Sequence, residues 1–215
     1  MAAEPTTTLL IIRHGETVWN VENRFQGHGD SPLTRTGCSQ ALAVGRRLKS
    51  MTFDTLICSD LGRAQATAEC IVQPTGHAIQ SDSRLRERNY GILEGLTVAE
   101  ISARYPQVWT DLQADDPDYV IPGGESQRQH FQRNIGFFEA YIATHAGSTA
   151  ALVVHGGVMD SIFRYVARLP LSQPRCFTTA NTSLNIVSHG PFHGTIRWVI
   201  GTWGDVSHLD DIGRQ

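Results

Sequence analysis

The chain has 215 residues, 40% of them hydrophobic and 18% charged, with a formal net charge of −3. That is enough apolar material for one large core, and the slight acidity gives no general attraction to nucleic acid or to an anionic membrane. An anionic ligand would have to be caught by a local cluster, and Lys49 is the only lysine, so seventeen of the 18 basic residues are arginines, whose planar fork matches phosphate oxygens.

Met1 to Thr8 has neither a basic leader nor a long apolar core, and reads as a flexible tail ahead of a single domain spanning 1-215. No apolar run approaches the roughly 18 residues that would span a bilayer. Cys38, Cys58, Cys70 and Cys176 lack metal-ligand spacing and read as small buried groups in a reduced, cytoplasmic setting.

Leu9 to Ile12 reads as a buried strand that stops at Arg13-His14-Gly15. A long polar loop follows from Gly15 to Leu33. Thr34 caps a helix over Arg35 to Ser50, with Ala41, Val44 and Leu48 as its apolar stripe. A strand over Phe53 to Cys58 leads into a helix over Gly62 to Gln73, with Ser59 or Asp60 at its start. Ala78 to Glu87 reads as a short strand running into a polar loop. Thr97 and Glu100 form a capping box. The stretch from Tyr105 to Pro122 reads as irregular, with a solvated acidic patch at Asp115, Asp116 and Asp118.

Ser126 and Gln129 form a second capping box, opening the longest helix, whose apolar face is Phe131, Ile135, Phe138 and Ile142, ended by Gly147. Ala151 to Val154 is a strand ending at His155-Gly156-Gly157, followed by a helix to about Leu169 and strands near Thr182 to Ser188 and Thr195 to Thr202. Pro191 between two glycines marks a hairpin. Alternating strands and helices predict an α/β fold, with a mostly parallel sheet and an antiparallel edge strand.

In such sheets ligands bind beyond the carboxyl ends of the strands. Arg13 and His14, Arg63 and His155 all follow strand-like runs, and His14 and His155 precede glycines that let the backbone turn close to a ligand. Two imidazoles and two guanidiniums converging there would suit holding and attacking a phosphate. A P-loop, a Gly-x-Gly-x-x-Gly turn and paired zinc-ligand spacings are all absent from the sequence, so a zinc mechanism is poorly supported.

Arg13-His14-Gly15-Glu16-Thr17 with Asn20 resembles the signature of the histidine phosphatase superfamily, the phosphoglycerate-mutase-like fold. Arg24-Phe25-Gln26-Gly27 through Thr34, Ser59 to Ala68, Leu85 to Gly91 and Val154-His155-Gly156-Gly157 resemble further blocks in the family's order. The resemblance implies a three-layer α/β/α sandwich. It also implies that His14 is a nucleophile that becomes phosphohistidine, neutral and with its other ring nitrogen hydrogen-bonded, in keeping with nucleophilic catalysis. Arg13, Arg63, His155 and Asn20 would bind the phosphoryl oxygens, with Gln26, Gly27 and Gly156 beside them. Glu87 would give a proton to the leaving alkoxide and take one from water, a role favouring a raised carboxyl pKa. The chemistry so implied needs neither a metal nor an organic cofactor.

A mutase and a phosphatase share this intermediate. Glu87-Arg88-Asn89-Tyr90-Gly91 is mutase-like, but the mutase branch carries a lysine where Thr97-Val98 stands, and an arginine pair where only Arg104 occurs between Leu96 and Pro122. These departures, with Gln26-Gly27 and Pro122 to Ser126, favour hydrolysis of a small phosphorylated metabolite. Phosphoglycerate mutase is the alternative and an inactive phosphate-binding regulator a remote one. Specificity is expected from the loop after Asn20 and from residues 97-122, a candidate lid in which Tyr105, Trp109 and Tyr119 read as packing ahead of contact with a sugar or nucleoside. Either a monomer or a homodimer fits the sequence.

Overall fold

A computed structural model of the chain describes residues 4–210. In chain order the elements are β1 (Thr7–Arg13), α1 (Val18–Val21), α2 (Arg35–Lys49), β2 (Thr55–Cys58), α3 (Gly62–Thr75), β3 (Ile79–Ser81), α4 (Val98–Arg104), α5 (Pro106–Gln113), α6 (Gln127–Thr144), β4 (Thr149–Val154), α7 (Gly156–Ala167), β5 (Leu184–Phe192) and β6 (Thr195–Asp205).

The strands form one sheet in the order β3-β2-β4-β1-β5-β6. Strands β3, β2, β4 and β1 are parallel, while β5 runs antiparallel to β1 and β6 antiparallel to β5. The period-2 alternation of a strand divides the sheet between two cores. Leu9, Ile11, Ala150, Leu152 and Val154 face Ile135, Phe138, Val158 and Ile162 of α6 and α7. Leu10, Ile12, Ala151 and Val153 face Val44, Leu48, Ala64 and Ile71 of α2 and α3. The fold is therefore α/β, with helices on both faces of a mixed sheet. Because β1 and β4 are buried on both faces, they read as continuous apolar runs.

The capping signals fold as written. Thr34 Oγ1 accepts from the Gly37 amide at 2.9 Å, and Thr97–Glu100 and Ser126–Gln129 are reciprocal capping boxes. The short strand expected to run into a polar loop between Ala78 and Glu87 is present as Ile79–Ser81. Other expectations are corrected. Thr7 and Thr8 belong to β1 rather than to a tail, and residues 1–3 of that proposed tail lie outside the described residues. The loop after His14 contains the turn of helix α1 and is pinned by a bridge between Thr17 and Leu33. Leu61, not Ser59 or Asp60, stands at the cap of α3 without a side-chain bond, because the Asp60 carboxylate is taken by Arg86 at 2.6 Å. The stretch from Tyr105 is not irregular: Pro106 opens α5, where its missing N–H costs nothing. The hairpin turns at His193-Gly194, both at positive φ, while Pro191 lies within β5 opposite Ile196.

A third, smaller cluster covers the carboxyl end of the sheet. Leu93, Ile101 and Ile121 are its buried centre, and Phe25, Tyr90, Tyr105, Trp109 and Tyr119 pack against them. The aromatic residues of 97-122 thus fill this cap's own core.

Candidate active site

β1 and β4 are adjacent and parallel, with Arg13 opposite Val154, so the residues that follow them, His14 and His155, leave the sheet side by side. Their ring centroids lie 5.2 Å apart. The chain departs from these two strands over opposite faces, and the cleft so formed is where open α/β sheets bind ligands. A cavity of about 370 Å³ lies there, lined by Arg13, His14, Asn20, Gln26, Gly27, Arg63 and Glu87 among others. His155 is fully buried behind it.

The His14 ring is 3% exposed, and its Nδ1 lies 2.8 Å from the Gly15 carbonyl. A carbonyl only accepts, so Nδ1 carries the proton and Nε2 keeps its lone pair. Burial, reinforced by the Arg63 and Arg13 charges, holds His14 well below the usual histidine range, so the imidazole is neutral at physiological pH. The turn is braced from behind. Thr67 Oγ1 accepts from the Gly15 amide at 2.9 Å and donates to the Arg63 carbonyl at 2.7 Å. Asn181 Nδ2 donates to the His14 carbonyl at 2.9 Å.

Both arginines are held by carbonyl oxygens. Arg63, 1% exposed, donates to Gly27 O at 2.8 Å and Gly29 O at 3.0 Å. Arg13 donates to Thr179 O, and burial brings its pKa down to about 10, still charged at neutrality. The Gly27 carbonyl thus holds Arg63, and a Cβ on Gly156 would stand 3.8 Å from Arg13 Nε, in ordinary contact. Asn20 uses Oδ1 to accept from the Thr17 amide at 3.1 Å, which leaves its NH2 group to offer. Burial and the neighbouring Arg63 keep His155 well below the usual histidine range too.

Around His14, several buried polar atoms have no hydrogen-bond partner among the described residues: Nε of Arg13, Nε of Arg63, both ring nitrogens of His155 and Oε1 of Gln26. An unsatisfied buried polar atom costs about 1–3 kcal/mol. Most of these are donors, so the arrangement is preorganised for an oxyanion.

Glu87 closes the cavity. Its carboxylate accepts from the Gly157 amide at 3.0 Å and the Arg88 amide at 2.8 Å. Burial pushes its pKa up, but His130, these two amides and Arg63 outweigh that and hold it below the usual carboxylate range. The direction is the reverse of the raised value expected for this residue. Sequence reasoning also missed His130, which is 3% exposed, with Nε2 3.8 Å from Glu87 Oε1. The signal available was its spacing with Asn134 and Phe138 on the buried face of α6, which puts a titratable ring at a core position.

The family profile of the histidine phosphatase superfamily (branch 1) matches residues 9–202. A protein from Cronobacter sakazakii named "Probable phosphoglycerate mutase GpmB" is 39% identical over 202 residues, 93% of this chain and 94% of its own. Among solved structures, Bacillus stearothermophilus YhfR is 34% identical with a TM-score of 0.84, covering 95% of this chain and all of its own. A mycobacterial glucosyl-3-phosphoglycerate phosphatase is 29% identical with a TM-score of 0.80, covering 93% of this chain and 99% of its own.

Proposed function

The chain belongs to the histidine phosphatase superfamily, and from that premise we propose that it hydrolyses small phosphorylated metabolites through a phosphohistidine on His14. The observation that carries this reading is the neutral His14 ring, its tautomer set by Gly15, in a shell of buried donors without partners.

In the proposed cycle His14 Nε2 attacks phosphorus in line with the ester oxygen. The Nε2–P bond forms as the P–O bond breaks, and Glu87 supplies the proton that the departing alkoxide takes. Arg13, Arg63 and His155 donate to the phosphoryl oxygens as their charge develops. Glu87 enters the cycle ionised, and a bound phosphate dianion offsets the pull of Arg63 while adding like charge. Both effects move the carboxyl upward, so that it takes up a proton from solvent before the first step and then passes it to the alkoxide. In the second half Glu87 takes a proton from water as its oxygen attacks phosphorus and the Nε2–P bond breaks.

Release to water, rather than to a second hydroxyl, is supported by the cations near the site. Arg104 is exposed, and Arg24 and Arg175 already carry carboxylate partners, Glu22 and Glu100 for the first and Asp160 for the second. A phosphatase activity is also what the mycobacterial neighbour's name states. The second reading, phosphoglycerate mutase, is favoured by the name of the Cronobacter relative. A cytoplasmic setting is part of the proposal, supported by four free cysteines; no described helix is long and apolar enough to cross a membrane.

Rapid acid quench during turnover of a phosphomonoester is expected to trap an acid-labile phosphoryl group on His14, and His14→Ala is expected to abolish both the adduct and turnover. Normal turnover by that variant would overturn the mechanism. Phosphate release measured against isomerisation of 3-phosphoglycerate, with and without 2,3-bisphosphoglycerate, separates the two readings.

A further inference from the structure

Behind Glu87 lies a second cavity of about 240 Å³, lined by Glu87, His130, Gly157, Asp160, Ser161 and Arg175 among others. His130, on α6, lines this cavity together with Glu87. Glu87, His130 and Gly157 are in close contact: a Cβ on Gly157 would meet Glu87 Oε1 at 2.1 Å and His130 Cε1 at 2.9 Å. Only glycine at position 157 lets the ring and the carboxylate share this space.

Nε2 has no hydrogen-bond partner among the described residues, and the Arg86 carbonyl favours a proton on the ring; with that proton on Nδ1, Nε2 is an acceptor. The Nε2 lone pair is then presented to Glu87 Oε1, 3.8 Å away. A bare lone pair facing a carboxylate gains nothing, but one facing a carboxylic acid can accept its proton.

Resting on the function proposed above, we infer that His130 is a positioning residue for Glu87, its Nε2 serving as the partner of the proton that the acid/base carboxyl gives and takes. With one proton between them the pair exists as carboxylic acid beside imidazole, or as carboxylate beside imidazolium. Moving between these forms breaks the Oε1–H bond as the Nε2–H bond forms and leaves the pair's total charge unchanged.

Two sites that can each hold the proton keep it to a higher pH than either alone, so the pair titrates as one unit. The charges bearing on the ring are Glu87, Arg133 and Glu125, with His155 close enough to feel its charge, and Asp160 and Arg175 lie on the opposite side of the second cavity. Burial, opposed by Glu87, brings the ring's own pKa down to about 4. At neutral pH it therefore reaches the carboxyl as a neutral acceptor.

The test uses the full chain, with His130→Leu, His130→Gln, Glu87→Gln and the Glu87→Gln/His130→Leu pair, assayed on p-nitrophenyl phosphate and on an alkyl phosphate. An alkoxide needs a proton to leave and p-nitrophenolate does not. His130→Leu is therefore expected to lose about tenfold in kcat/KM on the alkyl ester at neutral pH, a fraction of what a general acid contributes. It should be nearly unchanged on p-nitrophenyl phosphate. The alkaline limb on the alkyl ester should move when His130 is removed, His130→Gln should behave like His130→Leu, and the double variant should be no slower than Glu87→Gln.

Equal losses on both esters with an unmoved limb would overturn the proposal in favour of a packing role. If the wild-type protein released phosphate from neither ester, the proposed function would fail. The ring would then be read by ¹⁵N-histidine NMR. A His130 with Nδ1 protonated and Nε2 bare, whose titration shifts in Glu87→Gln, supports the coupling, and an Nε2-protonated tautomer overturns it.

Discussion

Arg63 has two guanidinium hydrogens committed to the Gly27 and Gly29 carbonyls, so its Nε is aimed by a rigid fork rather than by a flexible stem. Lysine keeps the charge, but its single ammonium on a flexible stem lacks the planar fork that reaches two separate carbonyls and fixes the direction of a further donor. Arg63→Lys is therefore expected to lower kcat/KM by about 10²–10³, the value of one preorganised donor, as measured by steady-state kinetics on any ester the wild-type protein turns over. The three buried histidines make a second prediction. His14, His130 and His155 are all held below the ordinary range by burial, so the unfolded chain binds more protons than the folded one once pH falls below about 6.5. Stability should drop on acidification by about 1.4 kcal/mol per pH unit for each such ring, down to about pH 4 in the case of His130. Urea midpoints compared at pH 7 and pH 5 would read this. At this scale Arg13, His14, Arg63, Glu87 and His155 were legible because each stands at a strand end or inside a motif. The direction of the Glu87 shift was not, because it depends on His130 and on the amide of Gly157, both far away in sequence.

Helix α2 meets the His14 turn through the Gln40 side chain, whose Oε1 accepts from the Glu16 amide at 3.0 Å, and through a close backbone approach at Gly37. A Cβ on Gly37 would stand 2.0 Å from the Glu16 carbonyl oxygen, and one on Gly15 would stand 2.6 Å from that of Gly37. Gly37→Ala is expected to destabilise the fold by about 1–3 kcal/mol, as overpacking does, and to lower kcat by shifting the turn that carries His14. Gly136→Ala is the control of opposite sign. It lies inside α6 with open space around it, and should stabilise by about 0.4–1 kcal/mol. Chemical denaturation of both variants beside a phosphatase assay checks the pair. The elements that sequence reasoning found share local chemistry: Thr34, Thr97 and Ser126 satisfy orphan amides within one turn. Two of those it missed involve proline. Pro106 lies in a stretch that reads as irregular but serves as a helix start, and Pro191 reads as a turn although the positive φ values fall at His193 and Gly194.

Across the whole molecule, alternating strands and helices made the α/β class legible, whereas the strand order was not, because which strands pair is settled by long-range burial that no local window contains. The consequence of β1 lying between β4 and β5 is kinetic. His14 meets His155 only after the register that sets Arg13 opposite Val154 has formed, which closes a loop of well over 100 residues. Thr182, whose amide binds the Arg13 carbonyl at 3.0 Å, must arrive later still along the chain. Pairings of such sequence separation form slowly, since loop-closure entropy precedes any contact energy. Catalytic activity should therefore return with the last refolding phase after dilution from urea, behind the far-UV signal of the helices. Stopped-flow circular dichroism run beside a continuous phosphatase assay would show whether the two curves separate.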